Sequence, residues 1–453
     1  MSQGRHERCA PILASAVAVA LAASACSGAG GGAGSAGGKS INVLMVDNPQ
    51  MEDIQRLTAD NFTKQTGIKV NYTILPENEL RDRATQDIAT GAARYDVDTV
   101  GAYEVPIWAK NSWLHEMSSY EGKDTAFDAG DLLKPIAKTL TSTDGKQYGI
   151  PFYGESSFLM YRKDLFAKAG LTMPEHPTWQ QVAGLAAKVD DRSKGVSGIC
   201  LRGLPGWGEL FAPLTTVVNT FGGTWFTKDW QAQVDAPQFA QATKFYVDLV
   251  RAHGEPGAAQ SGFAECLNTF GQGKAAMWYD STSAAASLED PKSSKVAGKV
   301  GYVYAPVART KYSGWLWTWS WVMPKTTKNA DNAWKFISWA SGKGYERLVG
   351  QKLGWSRVPD GKRESTYQTP EYQQAAKAFY KVTLASIDHA DPADPGLQPR
   401  PTLGVQYVGI PEFADLGTKV SQSVSAAIAG KTSVDKALSD GQGLADKAAG
   451  KYR

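Results

Sequence analysis

From Ile41 to Val100 the chain switches repeatedly between two hydrophobic rhythms. IleAsnValLeuMetVal (41–46) reads as a buried strand, and Met51, Ile54, Leu57 and Phe62 then recur at helical spacing until Gly67 stops the helix. Ile68, Val70, Tyr72 and Ile74 alternate as a second strand. Leu80, Ala84 and Ile88 form the next helical stripe, closed by Gly91 before a short strand at 96–100. Strand, helix, strand, helix, strand predicts parallel pairing and an α/β domain. Ligands bind such sheets at the carboxyl ends of the strands, which makes the loops holding Asn48, Asn78 and Tyr103 candidate binding loops.

The rhythm changes at GlyIleProPheTyrGly (149–154), an extended Pro/Gly-punctuated crossing that carries the candidate Tyr153. A second block follows, with a strand-like Phe158–Tyr161 and a helix over 237–253 that turns Phe239, Ala242, Tyr246 and Leu249 inward. The strand-like 300–306 and the run Trp315–Met323 predict a return crossing. Asn329 is then placed to cap a helix with Ala333, Phe336, Ile337 and Ala340 inward. The Pro/Asp-rich stretch 390–402 reads as a loop. At 453 residues the chain is too long for one core and predicts two domains.

The first 25 residues have the form of an export signal, with Arg5 and Arg8 before an apolar segment of about 14 residues, too short for a membrane span. Cys26 at its end matches the lipidated first residue of bacterial lipoproteins, and the Gly/Ala/Ser run after it reads as a flexible tether (26–39). Ala23-Ser24-Ala25 also fits ordinary signal peptidase, so lipidation, which the tether favours, competes with release. Two cysteines, Cys200 and Cys266, remain in the body, and an even pair in an exported chain is most simply a disulfide, with two separate buried thiols as the other reading. The formal charge of +3 and the lack of a basic block argue against a nucleic-acid partner.

Catalytic signatures are missing from the sequence. GlyGluSerSerPhe (154–158) lacks the closing glycine of a nucleophile elbow, the histidines show no metal spacing, and no cofactor motif stands in the right context. GlyGlnGlyLysAlaAla (271–276) precedes a strand-like run instead of opening a helix, so it is not a dinucleotide turn. The acid pairs Asp96/Asp98 and Asp190/Asp191 are expected in solvated turns or caps. Two convergent carboxyls from separate loops, the arrangement of a glycoside hydrolase, stay open as an alternative.

A binding cleft is the stronger reading. The chain holds 14 Trp and 18 Tyr, and an aromatic face stacks on the C–H face of a sugar. Trp315, Trp317, Trp319 and Trp321 alternate, and in a strand period two sends all four indoles to one face, where one or more would meet ligand. Asp280, after a strand-like run, is either an acceptor for vicinal hydroxyls or a helix N-cap. Glu155 is either a ligand contact or half of an ion pair.

From Ile41 to the C-terminus the chain resembles the extracellular solute-binding proteins of bacterial ABC sugar importers, of the maltose-binding type. The resemblance rests on GlyGluSerSerPheLeuMetTyrArgLysAspLeuPhe (154–166), GlyGlnGlyLysAlaAlaMet (271–277) and the Pro-then-helix segment 323–336. AsnGluLeuArgAspArg (78–83), TrpLeuTrpThrTrpSer (315–320), GlyLysArgGluSerThrTyr (361–367) and 410–418 look most like the sorbitol- and mannitol-binding group. It implies a type II periplasmic-binding fold of two α/β lobes, each on a mainly parallel sheet, joined by three hinge crossings. Lobe 1 would be 41–151 plus 309–355 and lobe 2 152–308 plus 356–453. Also implied are ligand contacts at Glu155, Asp280, Arg363 and the Trp315–Trp317 wall, with Arg202 and Trp207 from the second lobe. The expected protein is a non-catalytic, monomeric receptor for a sugar alcohol or small sugar, held to the outer membrane face by its lipid and docking on a permease.

Overall fold

The computed structural model describes residues 39–453, so the expected signal segment, Cys26 and the Gly/Ala/Ser run lie outside the described residues. Strand β1 (Ser40–Val46) pairs in parallel with both β2 (Lys69–Leu75) and β3 (Val97–Gly101). The helix between β1 and β2 starts at Pro49, where the Asn48 side chain accepts from the Met51 amide at 3.0 Å, an N-cap. Leu57 and Phe62 are five residues apart yet both buried, because a π-turn at Ala59–Thr63 takes up the extra residue. Gly67, at φ 71°, ends the helix.

Strands β4 (Ile150–Glu155), β5 (Ser157–Arg162), β6 (Met277–Ser281), β7 (Val300–Tyr304) and β8 (Trp317–Val322) complete two sheets, ordered β2-β1-β3-β8-β4 and β6-β5-β7. The chain leaves the first sheet for the second at Ser156 alone, returns through 305–316, and passes the junction again near Asp360. There the Gly154 amide donates to the Asp360 carbonyl at 3.1 Å. A Cβ added to Gly154 would lie 2.2 Å from the Gly361 carbonyl oxygen, so two backbones touch where only glycine fits. Helices Phe211–Phe221, Pro237–His253, Phe413–Ile428 and Val434–Ala449 pack together behind the second sheet. Cys200 and Cys266 lie beside them with Cα atoms 5.8 Å apart and their sulfurs at bonding distance.

Several expectations need correction. The sheets are less parallel than predicted: β8 is antiparallel to β3 and β4, and β5 is antiparallel to β6 and β7. The reason is directional. Strands β1, β3, β4, β6 and β7 run toward the junction between the sheets, whereas β5 and β8 each enter from the other sheet and must run away from it. The run at 300–304 is a strand of the second sheet, so the return crossing is shorter than expected. Asn329 precedes its helix but makes no cap; its amide donates to Asp96, which also accepts from Thr327 and the Asn42 amide. Asp96 and Asp98 are therefore buried, not solvated. Asp98 finds no partner, and burial holds its carboxyl well above the usual range.

Candidate functional site

Strand ends decide where the site forms. The carboxyl ends of β1, β4 and β6 and the amino end of β8 converge on a cavity of about 210 Å³ between the two sheets. Trp315, Trp317, Trp319, Trp207 and Phe263 supply its apolar wall. Trp207 meets Trp317 edge to face with ring centroids 5.9 Å apart, and Trp317 meets Trp319 at 5.8 Å. Trp315 lies just before β8, and its buried Nε1–H has no protein partner. Trp321, the fourth indole of the row, lies outside the cavity lining. It packs on Phe152 and Phe336 in the first core, because the strand has by then carried it beneath the helices.

Polar groups enter this wall in two clusters, one from each side. On the first side Arg81 pairs with Glu104 and with Glu77 (2.9 Å), while its guanidinium lies 4.2 Å from the Trp207 ring centroid and 5.1 Å from those of Trp317 and Trp319. On the second side Arg202 is held bidentately by Asp280 (2.8 and 2.6 Å) and also meets Glu209 at 3.2 Å. Burial works against the Arg202 charge, but Asp280, with Glu209 and Glu77 adding to it, outweighs burial and holds the guanidinium well above its usual range. Burial pushes Glu209 up to about 7, against the pull of Arg202.

Glu155 and Tyr153 form the floor. Glu155 belongs to β4 of the first sheet, yet its Oε2 accepts from Ser281 and from Ser283 (2.9 Å) of the second. Burial pushes this carboxyl up to about 7, with the two serine hydroxyls pulling the other way. The Tyr153 hydroxyl accepts from Asn48 Nδ2 at 2.9 Å, which leaves its own proton to donate. Burial and then the neighbouring Glu155 keep that phenol protonated. Acceptor and donor thus stand side by side, the requirement for holding hydroxyl groups, each of which both gives and takes a hydrogen bond.

Of the expected ligand contacts, Asn48, Tyr153, Glu155, Arg202, Trp207, Trp315 and Trp317 line the cavity. Four others are committed elsewhere. Asp280 lies within β6 and behind Arg202, also accepting from Trp278 Nε1; it is not in the cavity lining, and it sits in a strand, not at a helix start. Arg363 is fully buried away from the cavity, donating to the carbonyls of Ser341, Asp128 and Phe127. Asn78 donates to the Pro205 carbonyl, a bond between the two sides of the cleft, and Tyr103 donates to the Ile410 carbonyl while its ring supports Trp207.

Sequence reasoning missed Glu77, Arg81, Glu209 and Gln406, while Trp319, one of the four alternating indoles, lines the cavity. For Arg81 a signal existed: it follows Leu80 on the buried stripe and stands four residues after Glu77, an ion-pair spacing. Gln406 comes from a segment with no periodicity and left no signal.

Residues 48–347 match the family model of the bacterial extracellular solute-binding proteins. The chain belongs to that family. A mannitol-binding protein of Pseudomonas aeruginosa is 40% identical over 407 residues, 90% of this chain and 92% of the relative. An erythritol/L-threitol-binding protein of Mycolicibacterium smegmatis is 28% identical, covering 68% of each chain. The crystal structure of an ABC transporter solute-binding protein from Agrobacterium vitis with bound D-mannitol superposes with a TM-score of 0.89. It is 47% identical, with 91% of this chain and 99% of that one covered. The solute-binding protein thus has the two-lobed periplasmic-binding fold, and its site is one of binding, not catalysis. The family also makes it extracytoplasmic. Among the described residues no helix is long and apolar enough to cross a membrane.

Proposed function

We propose that this chain captures a linear sugar alcohol of about six carbons and delivers it to an ABC permease. The observation that carries the reading is the cavity. Its volume of about 210 Å³ lies below the 300–1,000 Å³ common for drug-sized ligands, which suits one short solute and not an oligosaccharide. Its polar groups (Tyr153, Glu155, Arg202) sit beside the indoles of Trp207, Trp315 and Trp317, a lining suited to a solute that carries both hydroxyls and C–H edges. The mannitol-binding relatives support the same class. Calorimetry with mannitol, sorbitol, arabitol, glucose and maltose is expected to rank the polyols first; tighter binding of glucose or maltose would sink the proposal.

Capture proceeds by hinge closure, with lobe 1 built on the first sheet, lobe 2 on the second, and Ser156 the shortest of the crossings. Contacts spanning the cleft describe the closed form. Besides Asn78, Gln50 donates to the Ser283 carbonyl at 3.1 Å, and Arg357 bridges Asp53 of lobe 1 (2.8 Å) to Asp290 of lobe 2 (3.0 Å). Arg357→Ala is expected to weaken polyol binding roughly 3- to 10-fold, mainly through faster release, because the latch forms only on closing. Stopped-flow release measurements test this, and an unchanged off-rate would contradict a latch. We further infer that Cys200 and Cys266 are joined in the exported chain, and that Cys26 carries the lipid holding this monomeric receptor near its permease. Mass spectrometry of the mature N-terminus tests the lipid.

A further inference from the structure

We propose that Gln406 is a specificity residue that hydrogen-bonds a ligand hydroxyl through its carboxamide. The inference rests on the polyol reading above. Gln406 lines the cavity beside Trp207 and Trp317, is only 4% exposed, and its Oε1 has no partner in the protein. An unpaired amide in a cavity wall is unfavourable unless something else supplies its hydrogen bonds.

The residues on either side show that the placement is built. Asn219, in the buried helix Phe211–Phe221, donates to the Val405 carbonyl at 2.8 Å and accepts from Arg400 at 2.9 Å. Arg400 in turn donates to the Gly404 carbonyl. On the other side Tyr407 stacks edge to face on Trp317 with centroids 5.9 Å apart, and its hydroxyl donates to the Ala102 carbonyl of lobe 1. Backbone before and ring after are both fixed, while the amide between them is left free of the protein. A carboxamide offers an acceptor and two donors without charge, the set that matches a hydroxyl of either sense. It is therefore a reader of hydroxyl position, in a wall where most of its neighbours read only shape.

The test pairs affinity with a direct probe of contact. In calorimetry with mannitol, Gln406→Met, which keeps the length and removes the hydrogen bonds, is expected to raise Kd about 10- to 100-fold. Gln406→Ala should do at least the same. In ¹⁵N spectra the side-chain NH₂ pair that vanishes in Gln406→Met should shift in the native protein when mannitol is added. A Kd within 2-fold of native, or a weakened Kd with an unmoved NH₂ pair, overturns the inference. Native protein that binds no polyol would instead overturn the functional reading, and this inference with it.

Discussion

Replacing Asp280 with Asn should lower the folding stability of the solute-binding protein by about 3 kcal/mol, because one partner of a buried charge pair is lost. Asp280 is fully buried and makes both bonds of the bidentate pair with Arg202, while Glu209 reaches that guanidinium through a single oxygen at 3.2 Å. The Asn amide can accept one of those bonds but cannot balance the charge, and its NH₂ faces a guanidinium that has only donors. Urea unfolding of native and variant protein at pH 7 measures the difference. Mannitol affinity should fall as well, since Arg202 would lose the grip that aims it at the cavity. A stability change below about 1 kcal/mol would mean that Glu209 alone suffices for Arg202.

The second large effect is on pH. The Glu155 carboxyl is raised from its ordinary 4.5 to about 7, chiefly by burial. Below about pH 4.5 the folded and unfolded chains both hold its proton and the group is neutral to stability. Between 4.5 and 7 the folded chain keeps a proton that the unfolded chain has lost, so stability falls as pH rises through that window and levels off above it. Glutamine, which carries no charge to desolvate, removes this slope. Glu155→Gln should therefore shrink the loss of stability between pH 5 and 7.5 by about 2 kcal/mol. Part of the native slope will remain, because Glu209 is raised in the same way. Denaturant midpoints at the two pH values decide the matter; identical slopes in both proteins would show that Glu155 titrates normally in the folded state.

Local pattern carried most of the first lobe. The period-two and period-3.6 runs of 41–100 are each long enough to show, and every one became the expected element. Chain direction at the hinge was not legible, because nothing in the residues of β5 or β8 says which sheet they enter from. For the site, residues announced by unusual chemistry in a strand or crossing, such as Glu155 and Trp317, came together in the cavity. Asp280 and Arg363 looked the same in sequence but were used to hold other groups. Whether a buried charge faces a ligand or a neighbouring side chain depends on what stands three or four ångströms away, and that neighbour is remote along the chain (Arg202 and Asp280 are separated by 78 residues).

In the proposed division Trp207 and Trp317 fall on opposite lobes, and they stand in edge contact with the Arg81 cation held over both rings. Any opening of the cleft must separate one indole from the other and at least one of them from the cation. Indole emission is sensitive to a charge beside the ring, so hinge opening as proposed is expected to change the ultraviolet fluorescence of the protein, with no label attached.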